Sequence, residues 1–531
     1  MIHNILLKVK ISPLKYALGI LGALGLCFGF PNNLCQFPVL VLAWPLALFC
    51  LGLFAKTIRV AFLEGWLCSL CGMLFVMYWL AIPVHKVGQL PWPAAASCAV
   101  LICAALALQG GLFAAGAFLS RKMRPFSCIL FLAFLWYLLE LVFALIFGFP
   151  WLPLSAALSG WILLVQGAEF LGAYALGGLW VFILLGLVTV FPIWEGEVFK
   201  NFPKEKLGLF ILSICLFIAL LVHGYREIND GMIEDSASPA AFEVVMVEGN
   251  IDQNIKWVPE FQKNSLDLYI RLTREALLSQ KDNENLLVIW PETALPFFYE
   301  TSAPLRTRLD DFVVEMERPL LFGAPGIEKN RDGEAEIYNR AFLLNKDGRV
   351  IGTYDKEHLV PFGEYAPKWL KFDFLEALLQ GVGVYSEGNS AEPLRLNRLA
   401  LGMLICYEGI FPWLAQARVE AGANVLVDIS NDGWFGNSPA ATQHLNLSIL
   451  RCIEQKRWLV RATNTGISAI ADDHGRIRLR GPQFRAGFLS GYAEIAFDHS
   501  FYYKYGYLFP WIALLVSSCL LLPLFIRTRQ N

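Results

Sequence analysis

Three short stretches in the second half of the chain each place one reactive side chain directly after an apolar run: Trp290-Pro291-Glu292, Tyr354-Asp355-Lys356 and Cys406-Tyr407-Glu408. A carboxylate, an ammonium and a thiol are the components of covalent acyl transfer. A cysteine thiolate attacks a carbonyl better than a hydroxyl does, and the thioester it forms is an activated intermediate that an amine can open. Cys406 follows the unbroken apolar run Leu399 to Ile405, so a strand end would hold it rigidly against a cleft. Glu292 leaves the run Leu286 to Trp290 at Pro291, and an apolar pocket raises a carboxyl toward neutrality, where it serves as a general base for the thiol. Lys356 opens a segment running to Tyr365 that is too rich in rigid and aromatic residues for an ordinary polar loop. Its ammonium, with the backbone N–H of Tyr407, would steady the oxyanion of a tetrahedral intermediate. Each residue alone has a plainer reading, as inert core thiol, turn glutamate or surface lysine. Their company favours the chemical one.

The elements that must position them begin near residue 242. Val244 to Val247, Leu286 to Trp290, Leu399 to Ile405 and Asn424 to Ile429 read as buried strands. Residues 260–279 and 439–457 have helical spacing, so the segment is expected to be an α/β layered domain. Asn431 to Gly436 is a strong turn signal, read as scaffold.

Around this domain the chain is greasy: 56% of its 531 residues are hydrophobic and 17% charged, the balance of a membrane protein with a soluble part. A net charge of −2 gives no electrostatic reason for a nucleic-acid partner. Of 12 cysteines only Cys406 and Cys452 lie between residues 225 and 506, and no zinc or disulfide spacing is visible. Apolar segments of spanning length are read at about 12–30, 36–55, 61–83, 94–119, 127–148, 172–193, 206–224 and 507–526, giving a membrane α-helical bundle of about eight spans. Basic residues flank every second crossing: Lys8, Lys10 and Lys15, then Lys56 and Arg59, Arg121, Lys122 and Arg124, Lys200, Lys204 and Lys206, and Arg527 and Arg529. Basic loops face the cytoplasm, so the segment after the seventh span is expected outside it. Residues 1–224 would be a membrane domain of seven helices, 225–506 an extracytoplasmic catalytic domain, and 507–531 an eighth helix with a cytoplasmic tail. The first span is read as uncleaved, because Leu26 before Cys27 is too bulky for a cleavage site. Glu64 and Glu169 read as hydrated interfacial acids, whereas Glu140 could be functional or structural.

The order Glu, Lys, Cys with these neighbours resembles the nitrilase superfamily, which implies an αββα sandwich, and Asn431-Asp432-Gly433-Trp434-Phe435-Gly436 resembles a turn of that superfamily. Gly249-Asn250-Ile251 with Trp257, the stretch His358 to Glu364, and the eight spans bring the resemblance closer to the bacterial apolipoprotein N-acyltransferase family, over essentially the whole chain. That resemblance implies an N-acyltransferase of the bacterial inner (cytoplasmic) membrane, with its catalytic domain on the periplasmic side. An acyl chain would pass from a membrane phospholipid to the cysteine, then to the N-terminal amine of a diacylglyceryl-modified apolipoprotein. It implies Glu292 as base, Lys356 as oxyanion stabiliser and Cys406 as nucleophile, with Trp257, Glu364, Tyr407 and Glu408 supporting the site or placing lipid. No cofactor and no metal is called for. Glu364 and Glu408 could also be plain ion partners. Gln443, His444, Arg461 and Asn464 match family-like positions without a derivable role, and Glu248 departs from an expected glutamine. The apolar stretch Trp369 to Gly383 could be a lipid-facing lid or a core helix, and Phe297-Phe298-Tyr299 is expected to face lipid. The alternative activity is a membrane-tethered nitrilase-type amidase, in which water rather than an amine opens the acyl-enzyme. A transporter with a sensory outer domain gives Glu292 and Lys356 no purpose.

Overall fold

The computed structural model describes residues 2–86, 88–191, 202–230, 239–252, 256–278, 285–330, 332–361, 363–365 and 385–529, with side chains between 15 and 522. The stretch Trp369 to Gly383, Phe362 and Lys200 lie outside the described residues. The chain divides into two compact units, Met1–Leu80, Ala96–Asp230 and Ser500–Asn531 forming one, Ala81–Ala95 with Gly231–His499 the other.

The first unit is helical: α1 (Ile2–Gly29), α2 (Ala43–Phe54), α3 (Ile58–Val76), α4 (Trp92–Ser120), α5 (Pro125–Phe147), α6 (Ala168–Val188), α7 (Pro203–Asp230) and, after four helices of the second unit, α12 (Phe509–Arg529). Among the described residues six helices are long and apolar enough to cross a membrane, and two shorter apolar helices, Lys15–Gly29 and Pro38–Phe54, stand where the first two of eight spans were expected. Helices in lipid gain little from hydrophobic burial and rely on close approach. Gly65 of α3 shows it, since a Cβ there would stand 2.7 Å from the carbonyl oxygen of Gly110 on α4. Glu64 is partly exposed and pairs with Lys15, in keeping with an interfacial acid. Glu169 departs from that reading: it is 8% exposed and lies 3.0 Å from His223 Nε2. Glu140 is buried and accepts from Trp136 Nε1 at 2.8 Å and from the Leu154 N–H at 2.7 Å, so it ties α5 to the turn that follows it.

The second unit is built on two six-stranded sheets. Its strands are β1 (Ala241–Glu248), β2 (Leu286–Ile289), β3 (Leu320–Lys329), β4 (Ala335–Leu344), β5 (Val350–Asp355), β6 (Leu394–Leu396), β7 (Leu399–Ile405), β8 (Val425–Ser430), β9 (Leu459–Thr463), β10 (Ala469–Ala471), β11 (Ile477–Arg480) and β12 (Gly487–Glu494). One sheet runs β12-β1-β2-β3-β4-β5, the other β11-β10-β9-β8-β7-β6. The central strands of each are parallel, β1 with β2 and β2 with β3, and β7 with β8 and β8 with β9.

Alternation along β1 shows the layering. Val244 and Met246 join a core with Leu401, Met403, Val425 and Val427 of the other sheet. Val245 and Val247 face the opposite way, into a core with Leu266 and Tyr269 of α8 (Pro259–Leu278) and Phe312 of α9 (Ala303–Met316). Successive side chains of a strand point to opposite faces, so two-sided burial makes these strands continuously apolar. Helices α10 (Pro412–Glu420) and α11 (Ala440–Gln455) accompany the second sheet, completing the αββα sandwich. Phe297 and Tyr299 are corrected here: both are buried in the helix-side core, with the Tyr299 hydroxyl donating to Asp310 at 2.6 Å. They pack protein and do not face lipid.

Candidate active site

Parallel strands deliver their carboxyl ends to one edge of each sheet, the usual place for a site. Cys406 follows β7, Glu292 comes three residues after β2, and Lys356 follows β5. Glu292 is held by stitching its turn to β3. Trp290 N–H donates to Leu321 O at 2.8 Å, Gly323 N–H to Pro291 O at 3.2 Å, and Leu295 N–H to Gly323 O at 3.2 Å. Only glycine permits so close an approach, because a Cβ on residue 323 would stand 2.5 Å from Thr293 N and 2.8 Å from Glu292 Cα. Lys356 is fixed from both sides, its N–H donating to Asn339 O at 2.9 Å and its carbonyl accepting from Gly388 N–H at 2.8 Å.

Glu292, Lys356 and Cys406 are all buried, at 5%, 1% and 6% exposure. Lys356 Nζ lies 3.5 Å from Glu292 Oε1 and 2.9 Å from Glu364 Oε1. Asn339 Nδ2 donates to both carboxylates, at 2.8 Å to Glu292 Oε1 and 2.7 Å to Glu364 Oε1. Glu364 Oε2 also accepts from Val360 N–H at 2.8 Å, while Glu292 Oε2 has no hydrogen-bond partner. One oxygen of Glu292 is therefore committed and the other is available for a proton. Burial pushes the Glu292 carboxyl above the ordinary glutamate value, a shift that Lys356 opposes and Glu364 reinforces. Burial works against the Lys356 ammonium, yet Glu364 and Glu292 outweigh it and hold its pKa above the usual lysine value. Burial and the neighbouring Glu292 charge push the Cys406 thiol well up, with Lys356 opposing. A thiol so placed does not ionise by itself at neutral pH; it needs a base.

Cys406 has φ 56°, left-handed backbone that a side chain adopts only where its surroundings insist. Its N–H donates to Asp428 Oδ1 at 3.2 Å and its carbonyl accepts from His444 Nε2 at 3.1 Å. Arg461 joins these partners from behind, pairing with Asp428 and, at 3.1 Å, with Asp432. Despite burial, Arg461 and His444 keep Asp432 well below the usual aspartate range.

The chain has relatives among known proteins. Residues 253–499 match the carbon-nitrogen hydrolase family, and residues 22–187 match the apolipoprotein N-acyltransferase N-terminal domain. The chain is 35% identical to the apolipoprotein N-acyltransferase of Geobacter metallireducens, over 93% of this chain and 92% of that one. It belongs to the apolipoprotein N-acyltransferase family. It is also 33% identical to the Azotobacter vinelandii apolipoprotein N-acyltransferase, over 84% of each chain. Among solved structures it is similar to a carbon-nitrogen hydrolase from Helicobacter pylori G27, at 14% identity, covering 52% of this chain and 94% of that one with a TM-score of 0.37.

For this member of the apolipoprotein N-acyltransferase family, the sequence-expected residues fall into three groups. Glu292, Lys356 and Glu364 share one hydrogen-bonded and ion-paired cluster, and the fields of Glu292 and Lys356 act on Cys406. Glu408 stands apart from that cluster. Its Oε1 accepts from the N–H groups of Glu357 and His358 at 2.8 and 3.0 Å, its Oε2 from Ile405 N–H at 2.7 Å, and both from the Tyr354 hydroxyl at 2.9 Å. It clamps the residues after Lys356 to the strand end before Cys406. The Tyr407 ring packs on His358 and Phe411, and Trp257 is 44% exposed. Sequence reasoning missed Asn339, the buried Arg418 that pairs with Glu357 at 2.8 Å, and Lys256. Lys256 has no exposure, and its Nζ reaches the Glu292 carbonyl oxygen at 3.5 Å. The local signal for Asn339 is faint: with Arg340 it forms a polar pair directly before the apolar run Ala341 to Leu344 of β4.

Proposed function

We propose that this chain moves a fatty acyl chain from a membrane phospholipid, through a thioester on Cys406, to the N-terminal amine of a diacylglyceryl-cysteine lipoprotein. The carrying observation is the free Oε2 of a buried glutamate whose other oxygen is held by Asn339 beside Lys356. Glu292 takes the Cys406 proton, and the thiolate forms a bond to the ester carbonyl carbon. The Lys356 ammonium and the Tyr407 N–H steady the oxyanion. Collapse breaks the ester C–O bond, and Glu292 returns the proton to the departing lysophospholipid oxygen. In the second half the lipoprotein amine attacks the thioester, Glu292 takes a proton from nitrogen, and the C–S bond breaks. Glu292 then reprotonates the sulfur.

The multi-pass membrane unit supports a donor from the bilayer. Trp257, Val258 and Phe261 expose apolar side chains at 39 to 44% around the start of α8, a surface that suits acyl chains. The basic flanks favour the bacterial inner membrane with the catalytic unit on the periplasmic side. Intact-protein mass spectrometry after incubation with phospholipid tests the reading. A fatty-acyl adduct that is absent from Cys406→Ala and discharges onto a diacylglyceryl-cysteine peptide supports it. An adduct lost to water at the same rate without peptide indicates an amidase-type hydrolase. No adduct overturns acyl transfer.

A further inference from the structure

Lys256 is a fully buried ammonium outside the set of residues whose spacing pointed to chemistry. Its Nζ reaches the backbone carbonyl of Glu292, and Glu292 is the one carboxylate among the described residues whose charge acts on it. A buried cation is costly unless a nearby anion offsets it, so its presence is tied to that acid. The groups acting on Glu292 are Lys356, Glu364, Asn339 and Lys256, with the Cys406 thiol and the Tyr385 phenol also in its field. With the thiol and phenol neutral, this set holds two acids. Lys356 alone would leave a net negative pocket, which favours a proton on Glu292 and disables it as a base. A second ammonium makes the pocket neutral.

We propose that Lys256 is the balancing cation that keeps Glu292 ionised and ready to take the Cys406 proton. It acts through Glu292 and is a positioning residue in the electrostatic sense. Burial lowers the Lys256 pKa to about 8, with Glu292 opposing, so the ammonium form prevails at neutral pH and below. The inference rests on the acyl-transfer reading of Glu292 and Cys406.

The test follows adduct formation on Cys406 against pH in the full-length protein in detergent, with phosphatidylethanolamine as donor. In Lys256→Met the acid limb of the profile moves up by about one pH unit or more, because Glu292 then holds its proton to higher pH. Lys256→Gln keeps an N–H donor for the Glu292 carbonyl but no charge, and its limb moves with that of Lys256→Met. Lys256→Arg restores the wild-type limb. A purely structural role would lower the plateau and leave the limb in place. An unmoved limb in both neutral variants, with normal thermal melting and a normal wild-type adduct, overturns this inference alone. No adduct on wild-type Cys406 overturns the reading of the site and this inference with it.

Discussion

The His444 Nε2–H donates to the carbonyl oxygen of Cys406 across 3.1 Å, and this bond holds the Cys406 peptide in its left-handed turn. On the far side of the ring, Nδ1 lies 3.0 Å from both Asp432 Oδ1 and Arg461 Nη2. Strained backbone survives where neighbours over-determine it, and here the residue is gripped at both its N–H and its carbonyl. The same grip sets the direction of the following N–H, that of Tyr407.

His444→Ala should therefore slow acyl loading of Cys406 by about 10²-fold, the usual cost of a small misplacement of reacting groups, although His444 is fully buried. The rate of adduct formation measured by mass spectrometry checks this. A wild-type rate would show that the turn is held without the histidine.

Much of the sandwich was legible because two-sided burial makes its central strands continuous apolar runs. The expected strands Val244 to Val247, Leu286 to Trp290 and Leu399 to Ile405 became β1, β2 and β7, and the helices at 260–279 and 439–457 became α8 and α11. The antiparallel strands β4 and β5 were not legible, since the first half of β4 is mostly half-buried and carries no apolar run. Lys256 and Asn339 escaped for a different reason. Asn339 lies 47 residues from Glu292 in sequence and reaches it only through the register of β4 on β3, and nothing local marks a lysine beside an exposed tryptophan as buried. Asn431 to Gly436 was legible as a turn, with Asn431 Oδ1 accepting from Gly433 N–H at 3.3 Å. The ion pair of Asp432 with Arg461 depends on β8 lying beside β9 and had no local sign.

Gly323→Ala should damage the site from a strand that contributes no reacting group. The added methyl meets backbone at Thr293 and Glu292, which cannot swing aside as a side chain can. A destabilisation of about 1–3 kcal/mol is expected from the overpacking, together with loss of Cys406 loading by about 10²-fold. Thermal unfolding and adduct kinetics on the same sample separate the two effects. Normal loading with lowered stability would place the strain elsewhere.

Glu248, at the end of β1, should make the catalytic unit less stable in alkali. Burial raises its pKa to about 7, opposed by hydrogen bonds from Ser468, and Oε1 has no hydrogen-bond partner. The folded state favours the protonated acid, so this contribution is full below the ordinary glutamate range and is lost as pH rises through about 7. Glu248→Gln removes the titration. It should gain about 1–3 kcal/mol over wild type at pH 8 and much less at pH 5. Equal pH dependence of melting in the two proteins would contradict this.

The pH dependence of Glu292→Gln offers the most direct view of the base. On the proposed mechanism the wild-type carboxylate takes the thiol proton, so loading should rise as Glu292 ionises and then level off. Replacement by glutamine leaves a thiol that burial still pushes well above its ordinary value, now without a proton acceptor. Loading should fall by about 10²- to 10⁴-fold near pH 7, the range typical for loss of a general base. It should then climb about tenfold per pH unit through pH 9 without levelling, because only the small thiolate fraction reacts. Alkylation of Cys406 by iodoacetamide, followed at the level of its peptide, should show the same slope without any lipid. A flat profile for Glu292→Gln at a wild-type rate would mean that another group takes the proton.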